Sequence, residues 1–183
     1  MIKHFSALAL GLAITAAGTS AFATTGTINF EGQITSTTCP IEVVNPGDGS
    51  VGNLVKMGSV EASRFTGIGQ EYSGKRFALR IKDDGSCGLT GTDDVARVTF
   101  NGTPDTTGNY FGVTPTADGA KGVAIVIKDK TGVSIAPGDE SAAYDLIENG
   151  TTDMAFNAYY RSVEATVSAG VASADVQFVV AIN

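Results

Sequence analysis

Two cysteines and two pairs of neighbouring aspartates are the residues of this chain whose types invite a chemical reading. A bridge between Cys39 and Cys87 would close a loop of about 48 residues and stabilise by roughly 4 kcal/mol on a chain-entropy account. Their spacing is not that of a CxxC redox or zinc site, so the choice is between a disulfide and two buried thiols. Asp83, Asp84, Asp93 and Asp94 bracket Cys87 and carry the hard oxygen ligands that calcium prefers. The ligand order of an EF-hand loop is absent, so they read as solvated loop acids and no metal site is expected. Gly67, Ile68 and Gly69 lack the third glycine and the βαβ setting of a dinucleotide fingerprint.

Catalysis finds no better support. The one histidine is His4, inside what reads as a secretory signal. Without it Ser-His-Asp and Cys-His arrangements are impossible. A carboxylate pair of the glycosidase kind could be drawn from 19 acids, but none sits in a distinctive motif. The chain is expected to be non-catalytic and to hold no cofactor.

The leader is Lys3, then a largely apolar run over residues 5–17, then the small-x-small site Ala21-Phe22-Ala23, which predicts cleavage after Ala23. Residues 24–183 then carry 11 basic and 19 acidic residues. The basic residues are scattered, which argues against a nucleic-acid surface. In an exported chain of this kind thiols oxidise, which favours the disulfide.

The elements that must position these groups are strands. Ala174, Val176, Phe178, Val180 and Ile182 are all apolar while the odd positions include Asp175, Gln177 and the terminal Asn183, a period of two with one buried face. Ile28, Phe30 and Ile34, with Gly32 between them, form a second alternating strip near the other end. Between the two, strands are predicted over 41–44, 54–60, 77–81, 95–100, 123–127 and 156–160, with turns at 45–49 and 128–132. Glycine is abundant, at 23 residues, and there is no tryptophan. The pattern is all-β, with enough strands for a sandwich.

In their order along the chain these pieces resemble the pilin subunits of the chaperone–usher class, type 1 fimbrial subunits in particular. The matching residues are 27–34 followed by Cys39; Phe77, Leu79 and Ile81 before Cys87; and Val98, Phe100 and Gly102. Further on come Gly122, Val123, Ile125, Ile127, Asp129 and Gly132; Phe156, Ala158 and Tyr160; and Gly170 opening the terminal strand. Ile182 stands where that family usually has an aromatic, and the stretch around 84–86 is longer than usual. In such a protein Asn101-Gly102-Thr103 and Asn149-Gly150-Thr151, which match the N-glycosylation pattern, read as turns.

The resemblance implies an incomplete immunoglobulin-like β-sandwich, completed by a donor strand from another subunit or a chaperone. It implies a signal peptide over 1–23, a donor-strand extension over 24–36 and a pilin domain over 37–183. Ile28, Phe30, Gly32 and Ile34 would enter a neighbouring subunit. Val176, Phe178, Val180, Ile182 and Asn183 would form the acceptor groove and meet a periplasmic chaperone. The implied partners are further fimbrial subunits, that chaperone and an outer-membrane usher, and the destination is a fimbria on the bacterial surface. A minor adaptor, a terminating subunit and a stand-alone secreted binding module are the alternatives to a shaft subunit.

Overall fold

The computed structural model describes residues 39–45 and 50–183. Nine strands follow in order: β1 (Ile41–Val44), β2 (Glu71–Lys82), β3 (Val95–Gly102), β4 (Phe111–Gly112), β5 (Val123–Lys128), β6 (Ser134–Ile135), β7 (Tyr144–Asp145), β8 (Thr151–Ser162) and β9 (Val176–Ile182). One sheet runs β1-β2-β8-β5-β4, with β6 also paired to β5, and the other runs β7-β3-β9. Every ladder between these strands is antiparallel. Helical structure among the described residues is one 3-10 turn at Ala62–Arg64.

Period-two patterning builds the core. Phe77, Leu79 and Ile81 of β2, Met154, Phe156 and Ala158 of β8, and Ala96, Val98 and Phe100 of β3 are all buried, each set on one face of its strand. Phe156 is the hub, with ring centroids 5.5 Å from Phe77, 5.0 Å from Phe100 and 5.4 Å from Tyr144. Burial pushes the Tyr144 phenol up to about 12; its hydroxyl donates to Ala155 O at 2.7 Å and accepts from Lys130 N at 3.1 Å. β5 is buried on both faces: Val123, Ile125 and Ile127 face the core, while Ala124 and Val126 lie beside Arg161 and Tyr159 of β8.

Polar side chains fix the register of the larger sheet. Arg80 grips both oxygens of Asp153 at 2.6 and 2.7 Å. Glu71 accepts from Lys128 and Arg161, each at 2.6 Å, and so ties β2 to β5 and β8. Burial raises the Glu71 carboxyl, but these two partners outweigh it and hold it below the ordinary value. The exposed Arg80–Asp153 pair contributes about 0–1 kcal/mol, so it selects pairing more than it stabilises.

Residues 54–60 depart from the predicted strand. Met57 is buried and Val55 and Val60 pack on the core, but the segment joins no ladder among the described residues. The apolar spacing was read correctly, but spacing alone does not make a ladder. Asn101 and Gly102 also differ from expectation, since they continue β3, whereas Asn149 lies in a turn with φ 51°. Gly170 sits where two backbones meet. A Cβ there would come within 2.4 Å of Ala120 N, in a strap where Ala120 N donates to Val171 O at 2.9 Å and Val171 N to Asp118 O at 2.9 Å.

Candidate functional site: an open strand edge

β9 ends the smaller sheet, and among the described residues nothing pairs with its other edge. The direction of its hydrogen bonds can be worked out. Val95 and Asn183 exchange two bonds at 3.0 Å, and the register continues as Arg97 with Ala181, Thr99 with Val179, and Asn101 with Gln177. In an antiparallel ladder such pairs alternate with pairs that share no bond. The even-numbered residues of β3 confirm the phase. Val98 O accepts from Ser141 N at 2.8 Å, Phe100 O accepts from Gly138 N at 2.8 Å, and both bonds lie on the side away from β9.

It follows that the N–H and C=O groups of Val176, Phe178, Val180 and Ile182 point out of the edge that no described residue pairs. The same four side chains pack, half-buried, against the core. Backbone demand and apolar face therefore coincide on the same residues. Unpaired strand edges of this kind are templates for another chain, and backbone groups left without partners are costly once water is excluded. The terminal Asn183 is exposed, with its backbone held by Val95.

Two clefts are open in the same domain. One of about 650 Å³ is lined by Val43, Leu54, Val55 and Phe77 together with Lys75 and Arg76. The other, about 460 Å³, is lined by Val60, Phe65, Val123, Tyr160, Val167 and Ala172. Leu54 is 73% exposed, an unusual state for a leucine beside core residues.

Cys39 and Cys87 form a disulfide with Cα atoms 4.7 Å apart. It joins the chain just before β1 to the loop after β2. Asp83 organises that loop, and here the sequence reading is corrected: it is buried, not solvated. Its Oδ2 accepts from Asn149 N at 2.8 Å, and its Oδ1 from Gly85 N at 2.9 Å and Cys87 N at 3.1 Å. A carboxylate can accept bonds that face inward from a turn, which is why an acid was needed there. The Asp-x-Gly-x-Cys spacing was the available signal. Asp84 and Asp93 are exposed, and no cluster suited to a metal occurs among the described residues.

The N–H of Asn149, followed by those of Cys87 and Gly85, holds the Asp83 carboxyl below its ordinary value against the effect of burial. Asp129 is also lowered: burial acts against it, but the Thr131 hydroxyl and the N–H groups of Ala142 and Thr131 prevail. A carboxyl lowered in the folded state stabilises fully above its unfolded pKa, and that stability is lost as pH falls through the folded value. The melting temperature is therefore expected to hold from pH 7 down to about 5 and fall steadily below about 4. Asp83→Asn should melt lower at pH 7 and show a shallower acid decline. Parallel declines in thermal melts would show that Asp83 does not carry this dependence.

Sequence reasoning missed two buried serines. Ser141 Oγ accepts from Val98 N at 3.0 Å, and Ser162 Oγ donates to Gly67 O at 2.6 Å and accepts from Gln70 N at 3.0 Å. Nothing in a single sequence marks them. Ile28, Phe30, Gly32 and Ile34 lie outside the described residues.

A family model described as fimbrial protein matches residues 28–183. The chain is 33% identical over 154 residues to a probable major fimbrial subunit of Escherichia coli O157:H7, covering 84% of this chain and 81% of that one. It is 31% identical over 160 residues to a type 1 fimbrial subunit of Salmonella typhimurium, covering 84% and 80%. Among solved structures it is similar to a type I fimbria protein of Burkholderia pseudomallei, with 29% identity, TM-score 0.54, and 81% and 98% of the two chains covered. The P pilus rod subunit shares the fold at 18% identity and TM-score 0.58, with 79% and 99% covered.

Proposed function

Since the chain belongs to the fimbrial protein family and is a structural subunit of an extracellular pilus, we propose that it polymerises by lending residues 24–36 as a strand to the vacant edge of β9 in a neighbouring copy. The observation that carries this is the coincidence at Val176, Phe178, Val180 and Ile182 of unpaired backbone and inward apolar side chains. Strand addition answers both needs at once: main-chain bonds supply affinity, and alternate side chains supply specificity. Ile28, Phe30 and Ile34 would each contribute roughly 1.5–3 kcal/mol on burial.

Likeness to a probable major subunit, and an alternating apolar strip and an apolar strand edge carried by one chain, support a shaft role. Before polymerisation the same edge needs cover. A periplasmic chaperone supplies a temporary strand and holds the terminal Asn183, and an outer-membrane usher passes the subunit to the fibre. Residues 1–23 direct export and are removed, and residues 37–183 form the domain.

Deleting residues 24–36 is expected to abolish fibres while leaving a soluble, chaperone-bound chain. Adding a synthetic peptide of residues 24–37 to the released protein should raise its melting temperature slowly and by a large margin. A truncated chain that is stable alone and indifferent to the peptide would mean a self-sufficient sandwich and would defeat the proposal.

A further inference from the structure

We infer that copies of this chain also meet through a charge-guided contact away from β9. In it the exposed Ile147 of one copy, flanked by Asp145 and Glu148, docks on an apolar patch of another copy edged by Lys56, Lys75 and Arg76. The contact stands apart from the donor-strand reading, because neither surface includes β9 or residues 24–36.

Ion pairing singles out the three cations. Residues 24–183 carry 11 basic residues against 19 acidic ones. Arg80, Lys82, Arg97, Lys128 and Arg161 each lie within 4.0 Å of a carboxylate. Lys56, Lys75 and Arg76 are exposed, form no ion pair among the described residues, and line the cleft of about 650 Å³. In so acidic a chain, three cations without carboxylate partners at one mouth make a local positive field. The same mouth carries Val51, 60% exposed, and Leu54, 73% exposed. An apolar patch rimmed by polar residues marks an interaction site. A rim of one sign selects a partner that is apolar at its centre and acidic around it.

The chain presents that partner on its own surface. Ile147 is 55% exposed in the loop after β7, between Asp145 and Glu148, which are both exposed. Neither acid forms an ion pair among the described residues. Backbone bonds hold the loop in shape: Leu146 N donates to Asp94 O at 2.9 Å, and Ile147 N to Thr152 Oγ1 at 2.9 Å. Glu148 lies against Gly91, two residues from the exposed Asp93. The knob is therefore a fixed apolar side chain set among carboxylates.

Within one copy the two surfaces cannot meet. Thr152, beside the knob, pairs with Ile81, whereas Arg76, at the patch, pairs with Asn157. Five residues of strand at about 3.3 Å each hold them roughly 16 Å apart. The knob must therefore reach the patch of another copy. Two unlike surfaces on identical subunits make a heterologous contact, which can propagate along a fibre instead of closing into a pair. A subunit of a pilus meets its own copies at high local concentration, so both halves of the contact are always at hand.

The test uses the full chain in cells that assemble fibres. Fibres of Ile147→Cys with Leu54→Cys should cross-link between subunits on mild oxidation. Fibres of Ile147→Cys with Val133→Cys should do so at least tenfold less, although Val133 is 62% exposed. Adding Glu148→Lys to the first pair should lower cross-linking at least tenfold, and adding Lys75→Glu and Arg76→Glu as well should restore most of it. Equal cross-linking by the two pairs, or none by either, would overturn the contact. So would a loss that the reversed charges fail to restore. Where a charge-reversed chain forms no fibres, salt decides with the first cysteine pair alone. Its cross-linking should fall several-fold between about 0.01 M and about 1 M salt, as the screening length shortens from about 30 Å to about 3 Å. A yield indifferent to salt would overturn the part given to the charges.

Discussion

Phe156→Ala is expected to destabilise the domain by about 3–5 kcal/mol, a large fraction of the whole stability of a domain of this size. The reason is position. Phe156 is fully buried on β8, the strand hydrogen-bonded to both β2 and β5, and its ring touches those of Phe77, Phe100 and Tyr144. Phe100 belongs to the other sheet, so the same ring joins the two layers. Removing it leaves a cavity that its three ring neighbours cannot close. Denaturant unfolding of the purified protein, with the disulfide intact, measures the effect. A loss below about 1 kcal/mol would mean the core repacks around the gap.

The second large effect belongs to the disulfide. Replacing Cys39 and Cys87 together by serine should cost about 4 kcal/mol on the loop-entropy account, and it should do so unevenly. Among the described residues the four residues of β1 form a ladder with β2 alone, with Val44 buried and Ile41 and Val43 packed on the core, so the bridge at its start is a large part of what holds it. Hydrogen exchange should show the amides of 41–44 opening first, well before those of β8. Uniform protection across β1 and β8 in the double variant would show that the ladder alone suffices.

Most strands were legible because their apolar residues alternate against a packed core: Val95 to Phe100 lies within β3, Phe77 to Ile81 within β2, and Val123 to Ile127 within β5. Two kinds of information were not legible. Residues 54–60 carry a strand-like pattern but no ladder, because a strand is defined by its partner and spacing within one chain cannot supply one. Asp83 looked like a surface acid because its worth lies in three N–H groups that converge only after the turn closes and Asn149 arrives from a distant loop. The apolar face of β9 was readable as a stripe of alternate residues, but the direction of its backbone bonds required the bonds between Val95 and Asn183 to set the phase.

That phase separates the letters of the terminal strand into two independent sets. Val176, Phe178, Val180 and Ile182 face the core. Gln177, Val179 and Ala181 face outward, and the backbone bonds of that set run to β3, which almost any residue can make. The outward letters can therefore drift, changing the surface this sheet shows, without altering the inward spelling that packs the core.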